Sequence, residues 1–166
     1  MIGIDSNPRG FEFAAMLAAL ALLAFAALFA PAIAPAKPDP GVKLRAILKG
    51  KNEVPGPGDP TGTGKVGLVL EAKKARVCFT LSVSDLAPVT AGFIVEGGRD
   101  EVGEVTLRLF KDNAGLDGDG SFDQRCLRKV DKKLIRSIAS EPERYFINIR
   151  NNEYPDGAVR GPLKPK

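Results

Sequence analysis

The chain has 166 residues, 24 Lys plus Arg against 20 Asp plus Glu, and a formal charge of +4. That length fits one domain with a single buried core, and bases scattered along the chain point away from nucleic acid as a partner. Histidine is absent and the two cysteines, Cys78 and Cys126, lie far apart, which removes the usual general base, the commonest metal ligand, His-dependent triads and any C-x-x-C site.

Residues 1–12 are polar, and Phe13–Ala30 is an unbroken apolar run, mostly Ala and Leu. Pro31-Ala-Ile-Ala-Pro-Ala36 follows and ends in the small-x-small form of a cleavage site before Lys37. Residues 1–36 therefore read as a secretory signal peptide, with an uncleaved membrane anchor as the alternative, since the run just reaches spanning length. Residues 37–41 form a Pro-rich spacer.

From Val42 the pattern changes to short strands with turn punctuation, which predicts an all-β antiparallel sandwich over residues 42–166. Expected strands cover Val42–Leu48, Val66–Glu71, Ala75–Val83, Ala91–Val95 and Val105–Phe110. In the third, Val77, Phe79, Leu81 and Val83 fall on one face at period two. Gly56–Gly64 is a Gly/Pro/Thr loop. Asp112–Asp123 alternates acids with small residues, and Asp117, Asp119, Ser121 and Asp123 are similar to a calcium loop. The twelfth position from Asp117 is Arg128 rather than Glu, and the sixth is not glycine, so a solvated turn is expected there. One short helix follows. Asp131 caps it, Leu134, Ile135 and Ile138 share a face, Lys132, Lys133 and Arg136 point outward, and Pro142 helps stop it.

The chain closes on a predicted β-hairpin, Tyr145–Ile149 and Ala158–Leu163, joined by a turn containing Pro155-Asp156-Gly157. Tyr154-Pro-Asp-Gly-Ala-Val-Arg-Gly161 is more particular than a generic hairpin needs and resembles the closing signature of the CHRD domain. Further pieces match in order over about Leu44–Leu163: Leu48-Lys-Gly-Lys-Asn-Glu-Val-Pro55 with Thr61-Gly-Thr-Gly64, Val77–Val83 with Leu86, and Ala91–Gly103. The resemblance gives Glu53, Pro55, Gly97, Tyr154, Pro155, Gly157, Arg160 and Gly161 structural roles. It implies an immunoglobulin-like or superoxide-dismutase-like sandwich with its helix before the last hairpin.

Many relatives carry His-Ile-His where this chain has Phe93-Ile94-Val95, and His-Thr where it has Arg150-Asn151. A metal or polar site there is expected to be lost, with Phe93 and Val95 filling the space and Arg150 bringing positive charge. The cysteine placement is similar to relatives carrying a cysteine pair, and export favours a Cys78–Cys126 disulfide over two buried free thiols. Glu53 and Arg160, the charged members of the first and last motifs, are expected to be structural partners.

The expected function is a secreted, periplasmic or cell-envelope domain with a non-catalytic binding or structural role, needing no cofactor. Its partner would be an envelope or extracellular protein or a polysaccharide. It would meet the membrane only through residues 13–30, if those are uncleaved. The rival is a metal-dependent, superoxide-dismutase-like enzyme, which rests on fold analogy and is opposed by the missing imidazole. Asp100, Glu101 and Glu104 are the carboxylates nearest to acid/base use. Lys132, Lys133, Arg136 and Arg144 are candidates for polysaccharide contact, although charged residues of both sets are usually only solvated.

Overall fold

A computed structural model describes residues 40–111 and 120–166. The segment expected to be a signal peptide, and Asp117 and Asp119 of the calcium-like loop, lie outside the described residues. Among the described residues no helix is long and apolar enough to cross a membrane.

Among the described residues nine strands follow in chain order: β1 Val42–Lys49, β2 Thr63–Glu71, β3 Arg76–Ser84, β4 Val89–Glu96, β5 Glu104–Lys111, β6 Gly120–Arg128, β7 Tyr145–Asn151, β8 Val159–Pro162 and β9 Lys164–Pro165. The helix α1, Lys132–Ser140, stands between β6 and the last hairpin. Every ladder is antiparallel, in the order β5-β4-β7-β8-β1-β2-β3-β6, with β9 also on β1. The all-β antiparallel class expected from the sequence is the one observed, as a single ladder that curls on itself. Its two ends, β5 and β6, are brought together by aromatic packing: the Phe110 and Phe122 rings lie 5.2 Å apart, edge to face, and Phe79 lies 6.4 Å from each.

Alternation explains which side chains go inside. Successive strand residues point to opposite faces. So Leu44, Ala46 and Leu48 of β1 are buried between exposed Lys43, Arg45, Ile47 and Lys49. Val77, Phe79, Leu81 and Val83 of β3 are all buried in the same core. They meet Ile94 of β4 and Ile147 and Ile149 of β7 there. Asp131 caps α1 by accepting a 2.8 Å hydrogen bond from the Lys133 amide. The helix adds Ile135 and Ile138, both fully buried, to the core. Truncating either to Ala removes about 2–5 kcal/mol of packing.

One reading is corrected. The segment expected to be a solvated turn through Asp123 is, from Gly120 onward, the strand β6. Its residues are mostly exposed, with Phe122 alone fully inward, so the apolar alternation that marks a strand is missing from its sequence. Pairing with β3 supplies the backbone hydrogen bonds instead. The same pairing sets Cys78 opposite Cys126 and a disulfide joins them, with Cα atoms 4.0 Å apart. The bridge therefore crosses between adjacent strands. Cys78 is buried and Cys126 is exposed, so it lies on the outer face of the ladder.

Candidate functional site

The chain between β1 and β2 turns inward because its own backbone holds it. Gly50–Asn52 form a 3-10 turn, and the Glu53 and Gly58 amides both donate to the Gly50 carbonyl, at 2.9 and 3.1 Å. The Asp59 amide donates to the Ala158 carbonyl at 2.9 Å, and its carboxylate accepts from the Thr61 and Gly62 amides at 3.0 and 2.8 Å. This frame turns the Glu53 side chain into the protein, where it is 6% exposed.

Glu53 meets the closing hairpin there. Asn148 of β7 donates from Nδ2 to both carboxylate oxygens, at 3.1 and 3.0 Å. Glycine is required at 157 because a Cβ would lie 2.3 Å from Glu53 Oε2 and 2.5 Å from Asn148 Nδ2. Gly161 is small for a similar reason, since a Cβ there would reach to 2.0 Å of the Ile47 carbonyl oxygen. Burial raises the Glu53 carboxyl to about 7, against the attraction of Arg160 and the hydrogen bond from Asn148.

Arg160 of β8 is 3% exposed. Its guanidinium lies 3.3 Å from the Phe146 ring centroid. It donates to the carbonyls of Glu101, Gly98 and Arg99, at 2.7, 2.8 and 3.3 Å. Burial lowers its pKa while Glu53 and Asp100 raise it. The structure thus brings Glu53 and Arg160 to one site and couples them through their charges, but no hydrogen bond or close ion pair joins them. Three carbonyls of the β4–β5 loop take the guanidinium donors. Arg160 clamps that loop, whose Gly97 amide is also tied to the Arg144 carbonyl at 2.9 Å.

The other family positions surround this cluster. The Tyr154 amide donates to Asn151 Oδ1 at 2.7 Å and closes the turn, and Pro155 is exposed at its tip. Pro55 is exposed on the loop that carries Glu53. Asp100, Glu101 and Glu104 are exposed and do not converge. Glu101 accepts from the Gly98 amide at 2.8 Å. Lys132, Lys133 and Arg136 lie exposed on α1, whereas Arg144 bridges Glu96 and Glu141 at 2.5 and 2.7 Å. Ser121 and Asp123 are exposed residues of β6.

A groove of about 730 Å³ opens over the cluster, with Lys51, Glu53, Arg99, Asp100, Phe146 and Arg160 among its walls. A narrow cleft of about 40 Å³ adjoins it, reaching Val95, Asn148 and Arg150. Phe93 and Val95 pack against Phe146 in a small cluster separate from the main core, and the Arg150 guanidinium lies 4.7 Å from the Phe93 centroid. Phe93, Val95 and Arg150, expected to occupy the place of a lost metal or polar site, thus lie together around Phe146. Among the described residues no three His, Cys, Asp or Glu side chains converge as metal ligands, and the Phe93, Val95 and Arg150 side chains offer no donor suited to a transition metal.

Sequence reading missed Asn148 and the carbonyl clamp. A lone Asn inside the run Tyr-Phe-Ile-Asn-Ile was the available signal, because a buried amide needs a polar partner. The carbonyl clamp has no side-chain signature at all.

An antiparallel β domain that locks its first loop to its last hairpin through Glu53, Asn148 and Gly157 defines the class. The CHRD domain family model matches residues 44–163, and the chain belongs to that family. No curated protein and no solved structure matches it.

Proposed function

We propose that this CHRD domain is a non-catalytic binding or structural module acting outside the cytoplasm, secreted or held in the cell envelope. The observation that carries this reading is the use made of its buried charges. Arg160 is bound by loop carbonyls and Glu53 by Asn148, so the hydrogen bonds of both hold together the wall of a groove. Catalytic constellations instead hold a nucleophile, base and orienting group within reach of a shared point. The apolar run 13–30 and the disulfide support export, because such bridges persist in oxidising compartments.

The test has two parts. Fractionation of the native host with mass spectrometry should find the chain outside the cytoplasm with Lys37 at its N-terminus; retention of residues 1–36 in the membrane would make it an anchored module. Metal analysis of protein purified without added metal, together with a superoxide turnover assay, should find neither stoichiometric copper or zinc nor activity. Metal with turnover would overturn the reading.

A further inference from the structure

Five bases crowd the segment that leads from β6 into α1. Arg128, Lys129, Lys132, Lys133 and Arg136 are all exposed, and Asp131 is the one acid among them. Five bases against one acid give a local charge of +4, equal to that of the whole chain. Asp131 is already engaged as the helix cap, accepting from the Lys133 amide. Among the described residues none of the five bases forms an ion pair.

This concentration of charge works against stability. Arg128 stands directly opposite Arg76 in the β3–β6 ladder, where like charges repel. Glu71 engages Arg76 and Lys74, so it does not answer Arg128. Lys132 and Lys133 occupy the first turn of α1, which has no acid, and cations are disfavoured at that end of a helix. Bases held at a cost to the fold point to a partner that offsets the cost.

The fold also fixes where these bases lie. The Val130 amide donates to the Ala75 carbonyl at 3.1 Å, tying the segment to the β2–β3 turn. A Cβ on Gly41 would lie 2.9 Å from the Leu70 carbonyl oxygen and 3.0 Å from Glu71 Cγ, so the chain enters β1 beside that same turn. Val42, 42% exposed, follows it there. Ten residues, 31–40, separate Gly41 from the apolar run 13–30, a reach of at most about 35 Å. None of the five bases lines the groove or the cleft, so an open surface matches them better than an enclosed ligand.

We propose that Arg128, Lys129, Lys132, Lys133 and Arg136 dock this end of the domain on an anionic lipid surface. Clustered bases are attracted to such a surface within about a Debye length. The apolar face of α1 is buried in the core, so the contact is electrostatic and involves no insertion of the helix. This names the partner of the module and rests on the reading that it acts at the envelope. Finding the chain in the cytoplasm would overturn that reading, whereas vesicle binding by the purified chain is decided separately.

The test is co-sedimentation of the full chain with vesicles of phosphatidylcholine, alone or mixed with phosphatidylglycerol, combined with lysine acetylation read by mass spectrometry. An uncleaved apolar run would hold to both vesicles, so the readout is the excess bound to the anionic ones. That excess is expected, falling with added salt, with Lys129, Lys132 and Lys133 protected on anionic vesicles only. Lys132→Gln/Lys133→Gln should weaken it roughly 25-fold, about fivefold per base. The same substitutions should not lower the thermal midpoint, because bases are unfavourable at that helix end. Lys49→Gln/Lys65→Gln removes as much charge at the far end of the β1–β2 pair and should leave binding nearly unchanged. Equal losses from the two variants, no anionic excess, or protection elsewhere would overturn the proposal. Tighter binding to a soluble galacturonate oligomer than to the vesicles, lost in Lys132→Gln/Lys133→Gln, would assign the patch to an acidic polysaccharide and overturn the lipid surface.

Discussion

Glu53→Gln separates the two forces on the buried carboxylate. Burial penalises the charge, while Arg160 and Asn148 favour it, and burial wins, raising the pKa from 4.5 to about 7. The folded state therefore holds a proton that the unfolded chain releases above pH 4.5. This stability is fully present below pH 4.5 and is lost as pH rises through about 7. A shift of that size corresponds to about 3 kcal/mol. The substitution removes the titration but places an amide nitrogen where Oε2 faces Asn148 Nδ2, a donor against a donor. That offset is independent of pH, so the slope is the diagnostic quantity. Urea unfolding of both proteins between pH 4 and 8, followed by circular dichroism, should show wild type losing about 3 kcal/mol relative to the variant across that range. A flat difference, or a wild type that gains relative stability as pH rises, would mean that Arg160 and Asn148 outweigh burial and would refute the argument.

Arg160→Lys keeps the charge but cannot donate in a fork to three carbonyls. It should cost about 2 kcal/mol and speed amide exchange around Gly98–Glu101, and unchanged exchange there would disprove the clamp. Gly157→Ala sets a Cβ against the Glu53 carboxylate, so a loss of about 2 kcal/mol or more is expected from forced displacement of a buried pair; a neutral result in thermal unfolding would show that the contact gives way freely. Replacing Cys78 and Cys126 together by Ala opens a link across 48 positions and should lower stability by about 4 kcal/mol in the chain-entropy account. Labelling of the unfolded, unreduced protein should find no free thiol, and two labels would remove the bridge.

What the sequence by itself determined were the local features: the inward row Val77, Phe79, Leu81 and Val83, the capped helix with Ile135 and Ile138, and the Pro155-Asp156-Gly157 turn. Each is written within a few residues, because period-two alternation, helical spacing and turn chemistry are short-range properties of the chain. Family resemblance added Glu53, Gly157 and Arg160 as positions that matter, without saying what they touch. Tertiary structure decided the rest. β6 exists because β3 offers it a ladder, although its own residues are mostly polar. Arg160 meets the carbonyls of Gly98, Arg99 and Glu101 across about 60 residues of chain, and backbone carbonyls are the same in every sequence. Asn148 reaches Glu53 across 95 positions, and the carboxyl is raised because burial, which only the assembled fold supplies, outweighs the opposite charge beside it.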